Sequence, residues 1–98
     1  MIMIEEKYLE QIKNIIKETV GRDKEIKFFI FGSSLTQNHF GDIDIGILGK
    51  IKDKQLRLLV EAFKASTLPY VVEVIDFSKV SDEFKENVFK QKILWLEL

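Results

Sequence analysis

Residues 31–44 read Phe-Gly-Ser-Ser-Leu-Thr-Gln-Asn-His-Phe-Gly-Asp-Ile-Asp and hold the residue types with the most chemistry to offer. Gly32 permits close backbone approach and unusual φ/ψ, and a helical turn after it would present free N–H groups to an anion. The hydroxyl of Ser33, with Ser34 beside it, adds donors, so Gly32, Ser33 and Ser34 make a candidate phosphate cradle. Asp42 and Asp44 stand two apart. On a strand both carboxylates would share one face with Cα atoms ~7 Å apart, near enough to share or bracket divalent cations. Left alone, such charges repel; Mg²⁺ removes the penalty, and triphosphate oxygens and water complete its octahedron. A phosphate cradle followed by a metal-binding pair points to chemistry on a nucleoside triphosphate. Taken singly, each motif has a plainer reading, a strand-to-helix turn for Gly-Ser and a solvated strand edge for Asp-x-Asp.

Glu73 is the third candidate, inside the apolar run Tyr-Val-Val-Glu-Val-Ile-Asp. A carboxylate buried unpaired in a strand costs several kcal/mol, so Glu73 needs solvent or a partner. Glu73 and Asp76 have opposite strand parity, so only one of them faces the aspartate pair. Glu73 is favoured, because Asp76 falls at the strand's end, where a turn or cap role suffices. His39 is the sole histidine, which rules out a zinc site built on several imidazoles; it reads as an exposed loop residue that could touch phosphate or base. Lys50, Lys52, Lys54 and Arg57 could meet phosphates but read more simply as a solvated face.

Elements must position these groups. Ile4, Tyr8, Ile12, Ile15, Ile16 and Val20 recur at helical spacing, which predicts a helix over 4–20 stopped by Gly21. Residues 26–31 are β-branched and aromatic and read as a mostly buried strand ended by Gly32. Ser33 or Ser34 could cap a short helical turn through Gln37, and 38–41 form a loop. Alternation predicts a second strand over 42–48, with Ile43 and Ile45 turned to the core. Asp53 caps a helix over 54–65, broken by Ser66-Thr67-Leu68-Pro69. A third strand covers 70–75. Ser81 caps a last helix that carries Phe84, Val88, Phe89, Ile93, Trp95 and Leu96. The expected fold class is α/β (α+β): a small mixed sheet of three strands, or slightly more, flanked by helices. The apolar segment 93–98 exceeds what one helix face needs, so it either completes the core or meets a partner.

Length and composition bound the rest. The 98 residues are read as a single domain spanning 1–98. A net charge of −1 gives no support for a duplex-binding face, and the 13 Lys and 2 Arg are interspersed with acids. The absence of cysteine excludes disulfides, thiol catalysis and Cys-ligated zinc. No apolar run reaches the ~20 residues of a membrane span, and residues 1–4 do not read as a signal peptide, so the expected location is cytoplasmic.

The joint pattern is more specific than its parts. A strand, then Gly32-Ser33, then Asp42-Ile43-Asp44 opening a second strand, then a carboxylate in a third, resembles the nucleotidyltransferase fold of the DNA polymerase beta-like superfamily. In length the chain is similar to its minimal nucleotidyltransferase (MNT) domains, which are often encoded beside a HEPN-domain protein as antitoxin and toxin. The resemblance implies that Gly32 and Ser33, with Ser34, hold the β/γ-phosphates. It implies that Asp42, Asp44 and Glu73 bind two Mg²⁺ (or Mn²⁺) ions, Glu73 on the ion nearer the attacking hydroxyl. The implied activity is transfer of AMP from ATP, or of another nucleoside monophosphate, to a hydroxyl of a HEPN partner. Two other readings stand beside it: a degenerate module that neutralises its partner by contact, and the catalytic subunit of a small-molecule nucleotidyltransferase. The small size implies a partner or a homo-oligomer. Ser34 and Gln37 stand where many minimal members carry a basic residue and a glycine, and Glu73 is one methylene longer than the usual third Asp.

Overall fold

A computed structural model describes residues 4–21, 23–37 and 41–98; Arg22, and residues 38–40 of the loop expected at 38–41, His39 among them, lie outside the described residues. Helix α1, Glu6–Thr19, buries Ile12 and Ile16 completely and carries Glu6 in its first turn and Lys17 in its last, as the helix dipole favours. It stops before Gly21, which takes φ +87°. Strand β1, Lys27–Phe31, then enters the middle of the molecule with four consecutive buried residues, Phe28 to Phe31. A single 3₁₀ turn, Ser33–Leu35, leads towards β2, Asp42–Leu48, which runs antiparallel to β1. Helix α2, Asp53–Lys64, carries the chain across to β3, Val71–Asp76, which pairs parallel with β2. A parallel pair requires such a crossover, since no tight turn can join its ends. Helix α3, Asp82–Phe89, and strand β4, Leu94–Leu96, complete the order.

The strands form one mixed sheet in the order β3-β2-β1-β4. Alternation divides its side chains between two layers. Phe28, Ile30, Ile43, Ile45, Ile47 and Leu96 face α1 and α2 and pack with Ile12, Ile16, Leu59 and Phe63. Phe29, Phe31 and Phe77 face the other way and pack with Val88 of α3. The ring of Phe29 lies over Gly46, its neighbour on β2, in space that a Cβ at 46 would occupy. Helix α3 is too short to cover this second face. Phe84, Phe89 and Trp95 stay 39%, 37% and 47% exposed.

The α+β class and the mixed sheet agree with expectation, and several boundaries are corrected. The last helix ends at Phe89 rather than carrying Trp95 and Leu96. Residues 94–96 extend instead as a strand, because β1 has an open edge to pair and the residues alternate. Leu96 turns to the α1/α2 layer, while Trp95 lies across from Phe29 and packs on its ring. Asp53 does not cap α2; it is the first helical residue, and the Lys52 N–H is met by the Gln55 side chain at 3.1 Å. Neither Ser33 nor Ser34 caps the 3₁₀ turn, whose N-cap position is Gly32. Ser81 does cap α3, accepting from the N–H of Phe84 at 3.1 Å.

Candidate active site

The sheet assembles the carboxylates by register. Phe31 of β1 stands opposite Asp44 of β2, and Asp44 opposite Glu73 of β3, so the three residues form one row across three strands. Adjacent strands lie about 4.8 Å apart. Asp42, two residues before Asp44, points to the same face and stands opposite Val71. This face is the one that α3 covers only in part, and the row lies where β1 ends and β2 and β3 begin. Asp42 and Glu73 are exposed and Asp44 is half-buried.

Gly32 follows directly in the chain and closes the corner. Its backbone takes φ +89° and ψ −161°, a region that only glycine occupies readily. A Cβ there would stand 2.7 Å from Oδ2 of Asp44, so the missing side chain is also what lets the carboxylate lie against the loop. The turn's own hydrogen bonds start with the N–H of Leu35, which donates to the Gly32 carbonyl at 3.2 Å. The N–H groups of Ser33 and Ser34 therefore precede its ladder, as at any helical start. Ser33 is half-buried, and Ser34 is buried with only 1% of its surface exposed. Gln37 is exposed.

Like charges set the electrostatics. Burial first, then the neighbouring charges of Glu73 and Asp42, push the Asp44 carboxyl above its ordinary value. Among the described residues the ion pairs are Lys7 with Glu5, Lys13 with Glu10 and Lys79 with Asp53, none of them touching this row. Also among the described residues, no three acidic or histidine side chains, Asp42, Asp44 and Glu73 included, are grouped so that they could hold a metal ion together.

The other candidates lie apart. Asp76 stands opposite Ile47 and serves its own turn, accepting from the Ser78 N–H at 2.9 Å and the Ser78 hydroxyl at 2.7 Å. Lys50, Lys52, Lys54 and Arg57 are exposed beyond the far end of β2. A cleft of about 710 Å³ lined by Lys24, Lys27, Phe28 and Trp95 opens at the start of β1, the end opposite Gly32. Two neighbours of the carboxylates escaped the sequence reading. Phe31 forms the apolar end of the row, and Val71, 62% exposed, lies beside Asp42. Strand parity carried the signal for both, once the register was known.

Three helices on a four-stranded mixed sheet make this a nucleotidyltransferase-type α+β fold. The chain belongs to the family described as "Polymerase beta, Nucleotidyltransferase", whose pattern matches residues 10–97. It is also similar in fold to a protein of known crystal structure from Shewanella oneidensis. That likeness has a TM-score of 0.62 and 22% sequence identity, and spans 95% of this chain and 74% of that one. Comparison with curated proteins returns no match.

Proposed function

We propose that this protein is a metal-dependent nucleotidyltransferase that moves a nucleoside monophosphate, AMP from ATP, onto a hydroxyl of a partner protein, a HEPN toxin. The observation that carries the reading is the register of Asp44 with Glu73, with Asp42 on the same face and the glycine-only bend of Gly32 against Asp44. Asp42, Asp44 and Glu73 would hold Mg²⁺ or Mn²⁺, two ions with the nucleotide bound. The donors fit in kind: all are hard carboxylate oxygens, and the charges of Glu73 and Asp42 bear on Asp44, a repulsion that a cation would relieve. The three side chains are not grouped as a metal cage, so one or two of the carboxylates would bind Mg²⁺, with substrate phosphates and water as the remaining ligands. When bound, the metal supplies positive charge against the triphosphate and acidity to the attacking hydroxyl.

The chain's own residues do the positioning. Gly32 keeps the loop free of a side chain beside Asp44, so a phosphate oxygen can approach the backbone. The Ser33 hydroxyl and the leading N–H groups of the turn donate to that phosphate. Phe31 walls the row on one side and lowers the local dielectric, which strengthens each charge interaction there. Glu73 lies on β3, an edge strand of the sheet, at the end of the row away from Phe31.

In Mg²⁺ or Mn²⁺, label from α-³²P-ATP is expected to reach a copurifying protein, and Asp42→Asn or Asp44→Asn to abolish the transfer. Equal background labelling by the wild type and both variants would refute the reading. A second reading, neutralisation by contact alone, is favoured by the exposed rings of Phe84, Phe89 and Trp95 on the same sheet face. It requires partner binding that ignores Asp42→Asn and weakens in Trp95→Ala.

A further inference from the structure

Strand β3 is an edge of the sheet, and among the described residues only β2 pairs with it. Its hydrogen-bonding parity is fixed at both ends. The N–H of Val71 donates to the Gly41 carbonyl and that of Phe77 to the Ile47 carbonyl, each at 2.9 Å. Odd-numbered residues therefore bond to β2, and the backbone groups of Val72, Val74 and Asp76 point to the open edge. The Asp76 carbonyl accepts from the Lys79 N–H at 3.1 Å. Val72 and Val74 keep two donors and two acceptors that meet no backbone group among the described residues. Such an edge is a template for another strand unless a bulge, a proline or a cover blunts it. Residues 71–76 contain no proline and pair with β2 without a break in register.

Charge and pattern say which strand fits. The side chains of Val72 and Val74 border the α1/α2 core, whereas Glu73 lies on the other face and ends the row from Phe31 through Asp44. A residue across from Glu73 would share its face and extend that row. A second copy of this chain fits poorly. In any symmetric pairing that uses both valines, Glu73 comes opposite or diagonal to its own copy, and like charges there oppose association. A segment of another protein, apolar across from both valines and carrying a hydroxyl across from Glu73, suits both faces. We propose that β3 holds the acceptor by strand addition: an extended segment of the partner protein pairs antiparallel with residues 72–74 and sets a hydroxyl side chain beside Glu73. This rests on the nucleotidyltransferase reading and names how its protein substrate is gripped. Antiparallel pairing is the stronger per residue, and it leaves Glu73 at a non-hydrogen-bonded position, where facing Cα atoms come within about 4.5 Å. In the transfer, the hydroxyl oxygen bonds to the α-phosphorus as the bond to pyrophosphate breaks, and the hydroxyl proton passes to solvent.

The test uses the intact chain and a capped peptide, Lys-Thr-Val-Tyr-Val-Thr-Lys, whose tyrosine falls across from Glu73 and reaches along the row. A control peptide is N-methylated at both valines, which removes the donors aimed at β3 and keeps every side chain. Amide exchange at Val72 and Val74 is expected to slow about tenfold when roughly nine-tenths of the protein is bound. The control should leave both amides fast. A peptide with phenylalanine in place of tyrosine should dock equally and suppress label transfer from α-³²P-ATP to the copurifying protein, and its N-methylated form should not. Slow exchange at both valines in the free protein would mean that the edge is already covered, by a second copy or otherwise, and would overturn the proposal. No slowing with the peptide, or transfer that ignores the docked peptide, would overturn it while the nucleotidyltransferase reading stood. If no label moved to any protein, both would fall together.

Discussion

Asp44 shows at the scale of one residue how a site can oppose the stability of its own fold. Burial and two like charges raise its carboxyl above the ordinary value, so ionising it costs the folded chain more than the unfolded one. The stability this group allows is fully present below the ordinary aspartate value and is lost as pH rises through the raised one. At neutral pH Asp44→Asn is therefore expected to raise the Tm of the metal-free protein, with the gain reduced by solvent screening of the half-buried carboxylate. Wild type and variant should converge in chemical denaturation as the pH falls below the ordinary value, and a gap independent of pH would contradict the assignment. Excess Mg²⁺ with nucleotide should reverse the order at neutral pH. The shared face of Asp42 and Asp44 is legible in the sequence because an i, i+2 pair needs only strand parity; parity leaves Glu73 and Asp76 as alternatives, and the place of Asp76 at the strand's end favours Glu73. The burial of Ser34 was not legible. Serine in a turn reads as a surface donor, and only the packing of the turn onto β1 and β2 turns its hydroxyl inward.

Between elements, the contact of Phe29 with Gly46 locks β1 to β2 on the α3 face. The ring lies where a Cβ at 46 would be and is itself packed by Phe77, Phe89 and Trp95, so it has little room to yield. Gly46→Ala is expected to cost about 1–3 kcal/mol by overpacking. Adding Phe29→Leu should recover part of that loss, giving a clear coupling in a double-mutant cycle read by urea denaturation. Additive losses would mean that the two positions do not share space. The same layer explains where sequence reading of the fold stopped. Helical and strand periods identified α1, β1, β2, α2 and β3 within a residue or two. The sequence reading places Ile93, Trp95 and Leu96 on the last helix because a short apolar run has no clear period of its own. Its state is decided by the open edge of β1, a tertiary fact: Leu94, Trp95 and Leu96 pair with Ile30, Phe29 and Phe28.

Across the whole molecule, protection runs outward from β1. Strands β1 and β2 lie inside the sheet, and Phe29, Ile30, Ile43, Ile45 and Ile47 have no exposed surface. Strands β3 and β4 are edges, and β3 carries Glu73 and the exposed Val71. Amide hydrogen exchange is expected to be slowest in β1 and β2 and faster at alternate positions of β3, where N–H groups point away from β2. Uniform protection across all four strands would contradict this ordering. The acidic row thus straddles a central strand and an edge strand. The crossover through α2 adds a separate consequence. Asp42 and Asp44 precede the largely exposed connection at 49–52, and Glu73 follows it. A chain cut between Gly49 and Lys50 would leave two acids on one fragment and the third on the other. Neither piece alone would hold the full acidic row, so recovery of cation-dependent binding would signal that the halves had found each other. The domain would then serve as a reporter of its own reassembly.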